Sequence, residues 1–123
     1  MTLLKPQRIA VTGATGFLGS HIAQALCAHG ATVRAVVRTP SKGAFLEAMG
    51  VELVKADLAD SEGLKAAFTG CDAVISNAAL AIRGRANWEA YYQANVQGTA
   101  NVFEAIAAAG VPRAVQILSL IHI

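Results

Sequence analysis

Cysteine is scarce. Cys27 and Cys71 are the only two in 123 residues, and they form no CxxC pair. That excludes a disulfide framework and a cysteine-based zinc site, and it suits a reducing, cytoplasmic compartment. An excess of one charge is also missing. Ten Lys and Arg against eight Asp and Glu leave a formal net charge of +2, with the basic residues scattered. Nucleic acid is therefore not an expected partner. Long apolar runs are absent too. A membrane span needs ~20 predominantly apolar residues. Every long apolar stretch here carries polar or charged residues, or a Gly or Pro suited to a soluble helix or turn, so no membrane partner is expected. The opening MTLLKPQR has no apolar core long enough for a signal peptide. With 54% hydrophobic and 15% charged residues, intrinsic disorder is excluded as well. The length allows one domain at most.

What remains is an alternation of short apolar runs and helical periods. Strands are predicted at RIAVT (Arg8–Thr12), ATVRAVV (Ala31–Val37), VELVK (Val51–Lys55), DAVIS (Asp72–Ser76) and RAVQIL (Arg113–Leu118). Helices are predicted between them over Gly16–His29, Ser41–Met49, Ser61–Phe68 with a Ser61 cap, and about Asn87–Ala109 with an Asn87 cap. In the last helix Val96, Thr99, Phe103 and Ile106 are expected to share one face, and Gly110 and Pro112 stop it. Strict βαβα alternation implies an α/β fold, a doubly wound parallel sheet with helices on both faces. The default strand order for this pattern is 3-2-1-4-5, that of a Rossmann fold.

Between the first strand and the first helix stands Thr12-Gly13-Ala14-Thr15-Gly16-Phe17-Leu18-Gly19. Gly13 allows a tight turn out of the strand. Gly16 lets the backbone approach a pyrophosphate, and Gly19 lets the helix pack on the sheet. The helix N-terminus offers unpaired N–H groups to phosphates. The spacing is G-x-x-G-x-x-G rather than G-x-G-x-x-G. A glycine triplet alone is also compatible with a purely structural turn, but this one stands in the strand-to-helix context that phosphate binding requires.

These residues resemble the extended short-chain dehydrogenase/reductase superfamily, the branch of NAD-dependent epimerases and dehydratases that includes dihydroflavonol-reductase-like enzymes. VTGATGFLGSHI is similar to that family's opening motif. Ala56-Asp57-Leu58, Asn77-Ala78-Ala79, Asn95-Val96-Gln97-Gly98-Thr99 with Asn101, and Val111-Pro112-Arg113 follow in the family's order. The resemblance implies a dinucleotide site built from Gly13, Thr15, Gly16, Phe17, Leu18 and Gly19. It implies that Asp57 meets the adenine amino group, with the Leu58 backbone beside it. Asn77 would belong to the cofactor site, and Ala78 and Ala79 would pass under the ribose and pyrophosphate, where small side chains are needed. Asn95 would have a supporting catalytic role, holding a water or backbone group of the proton relay. Gly98 and Thr99 would permit close helix packing.

Cofactor preference is read from the second strand. An NAD site places a carboxylate at its end. Here the sequence continues Val37-Arg38-Thr39-Pro40-Ser41-Lys42, with no carboxylate. Arg38, with Lys42 nearby, can bind a 2′-phosphate, so NADP is expected, with NAD as the alternative. Arg38 as a solvated loop cation is the competing reading.

The family's proton chemistry uses a Tyr-x-x-x-Lys pair and a Ser. The chain has Tyr91 and Tyr92 alone, with Asn95 and Val96 four residues on. The tyrosines read as helix-packing or pocket-wall residues. The ending Leu118-Ser119-Leu120-Ile121-His122-Ile123 translates a string that matches a transposase-based sequencing adapter. Residues 1–117 are therefore expected to be an incomplete NAD(P)-binding domain, truncated after the fifth strand, and 118–123 a non-native tail. Three functions stay open: the NADP-binding part of a carbonyl/alcohol oxidoreductase, part of an NAD-dependent nucleotide-sugar epimerase or dehydratase, or a non-catalytic dinucleotide-binding module. The resemblance also implies a homodimer of the longer parent through its long helix. His21 and His29 read as surface or cap residues, so no metal site is expected. Arg83, Arg85 and Trp88 stand where substrate could be met, or in a solvated loop with one anchoring aromatic.

Overall fold

Residues Arg8–Thr12 form strand β1, and a turn of small residues leads into helix α1, Phe17–Ala28. The computed structural model describes residues 7–77 and 88–117, and in it the alternation repeats. Strand β2 is Thr32–Val37. A 3-10 turn, Pro40–Gly43, leads into a short α2, Ala44–Ala48. Strand β3 is Glu52–Lys55, α3 is Ser61–Phe68 and β4 is Ala73–Ser76. From Trp88 onward come α4 (Trp88–Tyr91), a π-helical segment (Tyr92–Gln97), α5 (Gly98–Ala109) and β5 (Arg113–Gln116).

All described strand pairs are parallel, and the order is β3-β2-β1-β4-β5, the doubly wound arrangement that the alternation predicts. Side chains alternate between the two faces of each strand. Ala10, Val36 and Val74 join one core with Leu64, Phe68, Val102 and Ile106 from α3 and α5. Their neighbours Val11, Ala35 and Val37 join the other, with Ala23 of α1 and Leu46 of α2. A parallel sheet covered on both faces needs near-continuous apolar strands, which explains the high alanine and valine content. Gly30 ends α1 at φ 88, a value that suits glycine, and the Ala31 N–H reaches back to the Leu26 carbonyl at 3.0 Å.

Three local expectations are corrected. The cap of α3 is Asp60, not Ser61: its Oδ1 accepts from the Gly63 N–H at 3.0 Å. Ser61 is already the first helical residue, where its side chain cannot cap. The expected long helix is interrupted by the wider turns of Tyr92–Gln97. The buried face of α5 is Gly98, Asn101, Val102, Ala105 and Ile106, while Val96 and Phe103 are exposed. Val96 stands in the π-helical stretch, which departs from the 3.6 period, so a stripe counted through it loses its register there, whereas Phe103 lies within the regular turns of α5, off its buried face. The expected Asn87 cap and residues 118–123 lie outside the described residues.

Arg34 is a structural cation. From β2 its Nη1 donates to the carbonyls of Ala67 and Thr69, at 2.8 and 3.1 Å, across the C-terminal end of α3. Its Nε lies 3.4 Å from Glu52 Oε1. A cation at a helix C-terminus satisfies carbonyls that have no intrahelical partner. Cys71 lies beside it, and both cysteines are free. Burial pushes the Cys71 thiol up, an effect partly offset by the positive charges of Arg34 and Arg8. The fold thus favours the neutral thiol. Its contribution to stability is present in full below the thiol's unfolded pKa and is lost as pH rises through the raised folded value. Urea midpoints measured from about pH 7 to about pH 10 should therefore fall more steeply in the wild type than in Cys71→Ala. Parallel slopes would remove Cys71 as the cause.

Among the described residues, no helix is long and apolar enough to cross a membrane. Among the same residues, no three of His, Cys, Asp or Glu are grouped to hold a metal ion.

Candidate functional site

The strand order reverses at β1, which has β2 on one side and β4 on the other. Open α/β sheets form a crevice at such a point, beyond the carboxyl ends of the strands. Here a cavity of about 1100 Å³ opens there. Its walls come from the turn after β1, the end of β2, the turn between β3 and α3, Asn77 after β4, and one face of the Ala90–Asn101 helical stretch.

The three glycines of the first turn do different work. Gly13 has φ 71, in the left-handed region that favours glycine. Gly19 is closed in by backbone: a Cβ there would strike the Gly13 carbonyl oxygen and lie 2.7 Å from its carbon and 2.9 Å from Ala14 Cα. Gly16 is constrained by neither. Its φ of −79 and ψ of 176 are open to any residue, and a Cβ would meet only the Gly13 oxygen, at an ordinary 3.5 Å. The protein itself does not require a glycine at 16, and that residue lines the cavity.

Gly16 is also the cap residue of α1, which has no side-chain cap and no acidic residue in its first turn. The first N–H groups of a helix have no partner within it, so this end is left to accept an anion. Helix α3 differs, because Asp60 caps it from within the chain. An open helix end beside a glycine without a steric duty fits a nucleotide pyrophosphate.

The other expected positions divide. Thr15, Phe17 and Leu18 line the cavity beside the turn, with Phe17 84% exposed. Asn77 lines it as well. Its N–H donates to the buried Thr12 hydroxyl at 2.9 Å, and its Nδ2 reaches the Gly13 carbonyl at 3.4 Å. It therefore ties β4 to the glycine turn. Arg38 lines the cavity where the chain leaves β2, with no hydrogen bond or ion pair to another described residue. Lys42 does not line it. It is exposed in the Pro40–Gly43 turn, whose tight bend closes with the Lys42 N–H on the Thr39 carbonyl at 3.0 Å. Ala78, Ala79, Arg83 and Arg85 lie outside the described residues.

Asp57 and Leu58 line the same cavity. Asp57 Oδ1 accepts from the Ala59 N–H at 3.0 Å, which shapes the turn into α3. Leu58 is held by α5. Asn101, only 8% exposed, donates from Nδ2 to the Leu58 carbonyl at 2.7 Å and accepts at Oδ1 from Gln97 Nε2 at 3.2 Å. Gly98 lets the helix approach, since a Cβ there would press on the Leu58 side chain at 3.2 Å. Thr99 adds a bond within the helix: its hydroxyl donates to the Asn95 carbonyl at 2.7 Å.

Asn95 itself lies in the π-helical segment and is not brought to the cavity wall. The wider turns there present Gln93 and Gln97 instead. Tyr92 pairs with Trp88, ring centroids 6.4 Å apart, and neither lines the cavity. His29 caps α1, and His21 is exposed with Nδ1 2.8 Å from the Phe17 carbonyl. Ser61, Gln93 and Gln97 are cavity residues that motif reading missed. For the last two a signal existed: Gln93, Gln97 and Asn101 recur every four residues, a polar stripe in an apolar helix.

The model of a family described as NAD(P)H-binding matches residues 13–122. A 2-alkyl-3-oxoalkanoate reductase of Stenotrophomonas maltophilia is 41% identical over 108 residues, 88% of this chain and 32% of that protein. An NADPH-dependent quinone oxidoreductase of Escherichia coli, solved with NADPH, superimposes with a TM-score of 0.70 at 29% identity. That match covers 88% of this chain and 35% of the other. A variant of uronate dehydrogenase from Agrobacterium tumefaciens, solved with NAD, gives 0.70 at 28% identity, over 91% of this chain and 40% of the other. The chain spans about a third of the curated relatives it matches. With its fold, its glycine turn and these relatives agreeing, the chain belongs to the NAD(P)H-binding family, beside reductases and epimerases of the short-chain dehydrogenase type.

Proposed function

We propose that this chain is the NADP(H)-binding part of a longer oxidoreductase acting on a carbonyl or alcohol substrate. Residues 1–117 would form the incomplete nucleotide domain and 118–123 a non-native tail. The bound nicotinamide would supply the hydride chemistry. This chain's residues would bind and orient the dinucleotide. Gly13, Thr15, Gly16, Phe17, Leu18 and Gly19 would hold the pyrophosphate at the open end of α1. Asp57 and Leu58 would hold the adenine, and Asn77, Ala78 and Ala79 the ribose. Asn95 would keep a supporting role toward the reacting end. Neither Tyr91 nor Tyr92 has a Lys four residues on, so the proton-transfer pair would be supplied from outside this chain.

The observation that carries the NADP(H) reading is Arg38. It lines the cavity without an ion-pair partner among the described residues, at a strand end that lacks a carboxylate. A free guanidinium suits the two-point binding of a phosphate monoester, whereas NAD sites place an acid on the ribose 2′-hydroxyl. The wild type should bind NADPH at least about tenfold more tightly than NADH. In Arg38→Ala, NADPH affinity should fall about 10- to 100-fold, the equivalent of one bidentate charged contact, with NADH little changed. Calorimetric titration with both cofactors measures this. Equal affinity for the two in the wild type would sink the NADP(H) reading.

A further inference from the structure

The strand register sets a second cation beside Arg38. In the β2–β3 pair Val37 stands opposite Lys55, so the last residue of β3 neighbours the strand end from which Arg38 leaves. A hollow of about 290 Å³ opens there, lined by Arg38, Lys55, Ala56, Asp57 and Asp60. It shares Arg38, Ala56 and Asp57 with the main cavity, so the two spaces adjoin.

The charges in this wall are unevenly engaged. Asp57 and Asp60 each give one carboxylate oxygen to a backbone N–H, of Ala59 and Gly63 respectively, both at 3.0 Å. Among the described residues the one ion pair is Arg34 with Glu52, so neither Arg38 nor Lys55 is paired with a carboxylate. Arg38 alone would leave the hollow net negative and repel a phosphate. Lys55 brings it to neutrality and adds a compact point charge to the planar guanidinium fork.

We propose that this hollow seats the 2′-phosphate of the dinucleotide and that Lys55, with Arg38, is a specificity-determining residue. This rests on the NADP(H) reading above and names a contact that reading lacks, because Lys42 does not line either space. A ribose 2′-hydroxyl gains little from an ammonium group, so Lys55 acts on the phosphorylated cofactor alone.

The test is titration of the 123-residue chain with NADPH, NADH and adenosine 2′,5′-bisphosphate, by calorimetry or, for weak binding, by ligand-observed NMR. Lys55→Gln should weaken NADPH and adenosine 2′,5′-bisphosphate about fivefold to tenfold and leave NADH within about twofold. Lys55→Arg should restore the loss. Unchanged NADPH affinity in Lys55→Gln, beside a clear loss in Arg38→Gln, overturns the role of Lys55 and leaves the cofactor reading standing. Equal loss of NADPH and NADH in Lys55→Gln overturns it also, as a general disturbance of the site. If Arg38→Gln loses nothing and the wild type binds both cofactors alike, the cofactor reading fails and this inference fails with it.

Discussion

Replacing Gly16 with alanine is expected to remove most of the dinucleotide affinity while leaving the fold nearly as stable as before. The backbone at Gly16 already has dihedrals that alanine adopts, and the new methyl would touch only the Gly13 oxygen, at 3.5 Å. Alanine is a poorer helix cap than glycine, but it also restricts the unfolded chain. The two effects oppose each other, and the net change should stay within about 1 kcal/mol. Binding has no such compensation. The methyl stands at the cavity wall, where the proposed role would bring the backbone close to a pyrophosphate. A loss of about tenfold to a hundredfold in NADPH affinity is the expected result, with the melting temperature moving by only a few degrees. Titration and thermal melting of the same preparation separate the two effects. A variant that binds NADPH as well as the wild type would refute the assignment of the glycine turn to the phosphates.

Gly19→Ala should behave in the opposite way, by failing in the fold itself. Its Cβ would meet the carbonyl of Gly13 and the Cα of Ala14, both main-chain groups in the turn after β1. Flexible side chains could yield, but here the turn follows a central strand paired on both sides, by β2 and by β4. Either α1 must lift from the sheet or the turn must open. Overpacking commonly costs about 1–3 kcal/mol, and rigid backbone on both sides places this case at the upper end or beyond. For a domain of this size a loss of about 3 kcal/mol is a large share of the total stability. The melting temperature should drop by about 10 °C or more. A melt within about 2 °C of the wild type would show that the turn relaxes freely. Measured side by side, the two alanines would assign Gly16 to ligand and Gly19 to packing.

The pattern of the chain made most of the architecture legible. RIAVT, VELVK and DAVIS are strands within a residue or two of where alternation puts them. The order of the strands follows because parallel crossovers are right-handed and doubly wound sheets have few layouts. The glycine turn was legible for the same local reason: a glycine triplet at a strand-to-helix junction marks a special backbone, although only Gly13 and Gly19 meet a requirement of the fold itself.

The remaining features depend on which parts of the chain meet across space. Arg34 and Arg38 stand four residues apart, yet one is locked over the carbonyls of Ala67 and Thr69 and the other faces the cavity. Position at the strand end singles out Arg38 in the sequence, but nothing local names the carbonyls that hold Arg34. The two lysines are likewise sorted by the fold. Lys42 is near Arg38 along the chain, but a tight turn keeps it off the wall, while Lys55 is brought alongside by a strand pairing seventeen positions downstream of Arg38. The shared face drawn from Val96 to Ile106 lost Val96 because the count of helical positions ran through the π-helical turns of Tyr92–Gln97.

By itself, then, the sequence determined the alternation, the parallel sheet and the glycine turn, since each arises from backbone preferences and apolar periodicity within a few residues. Tertiary structure alone decided which cations are free, which glycine is forced by packing, and which helix face looks into the cavity. Those properties depend on long-range neighbours. The Arg34 link to Ala67 spans 33 positions and the Asn101 link to Leu58 spans 43, and no local pattern encodes a partner that far away.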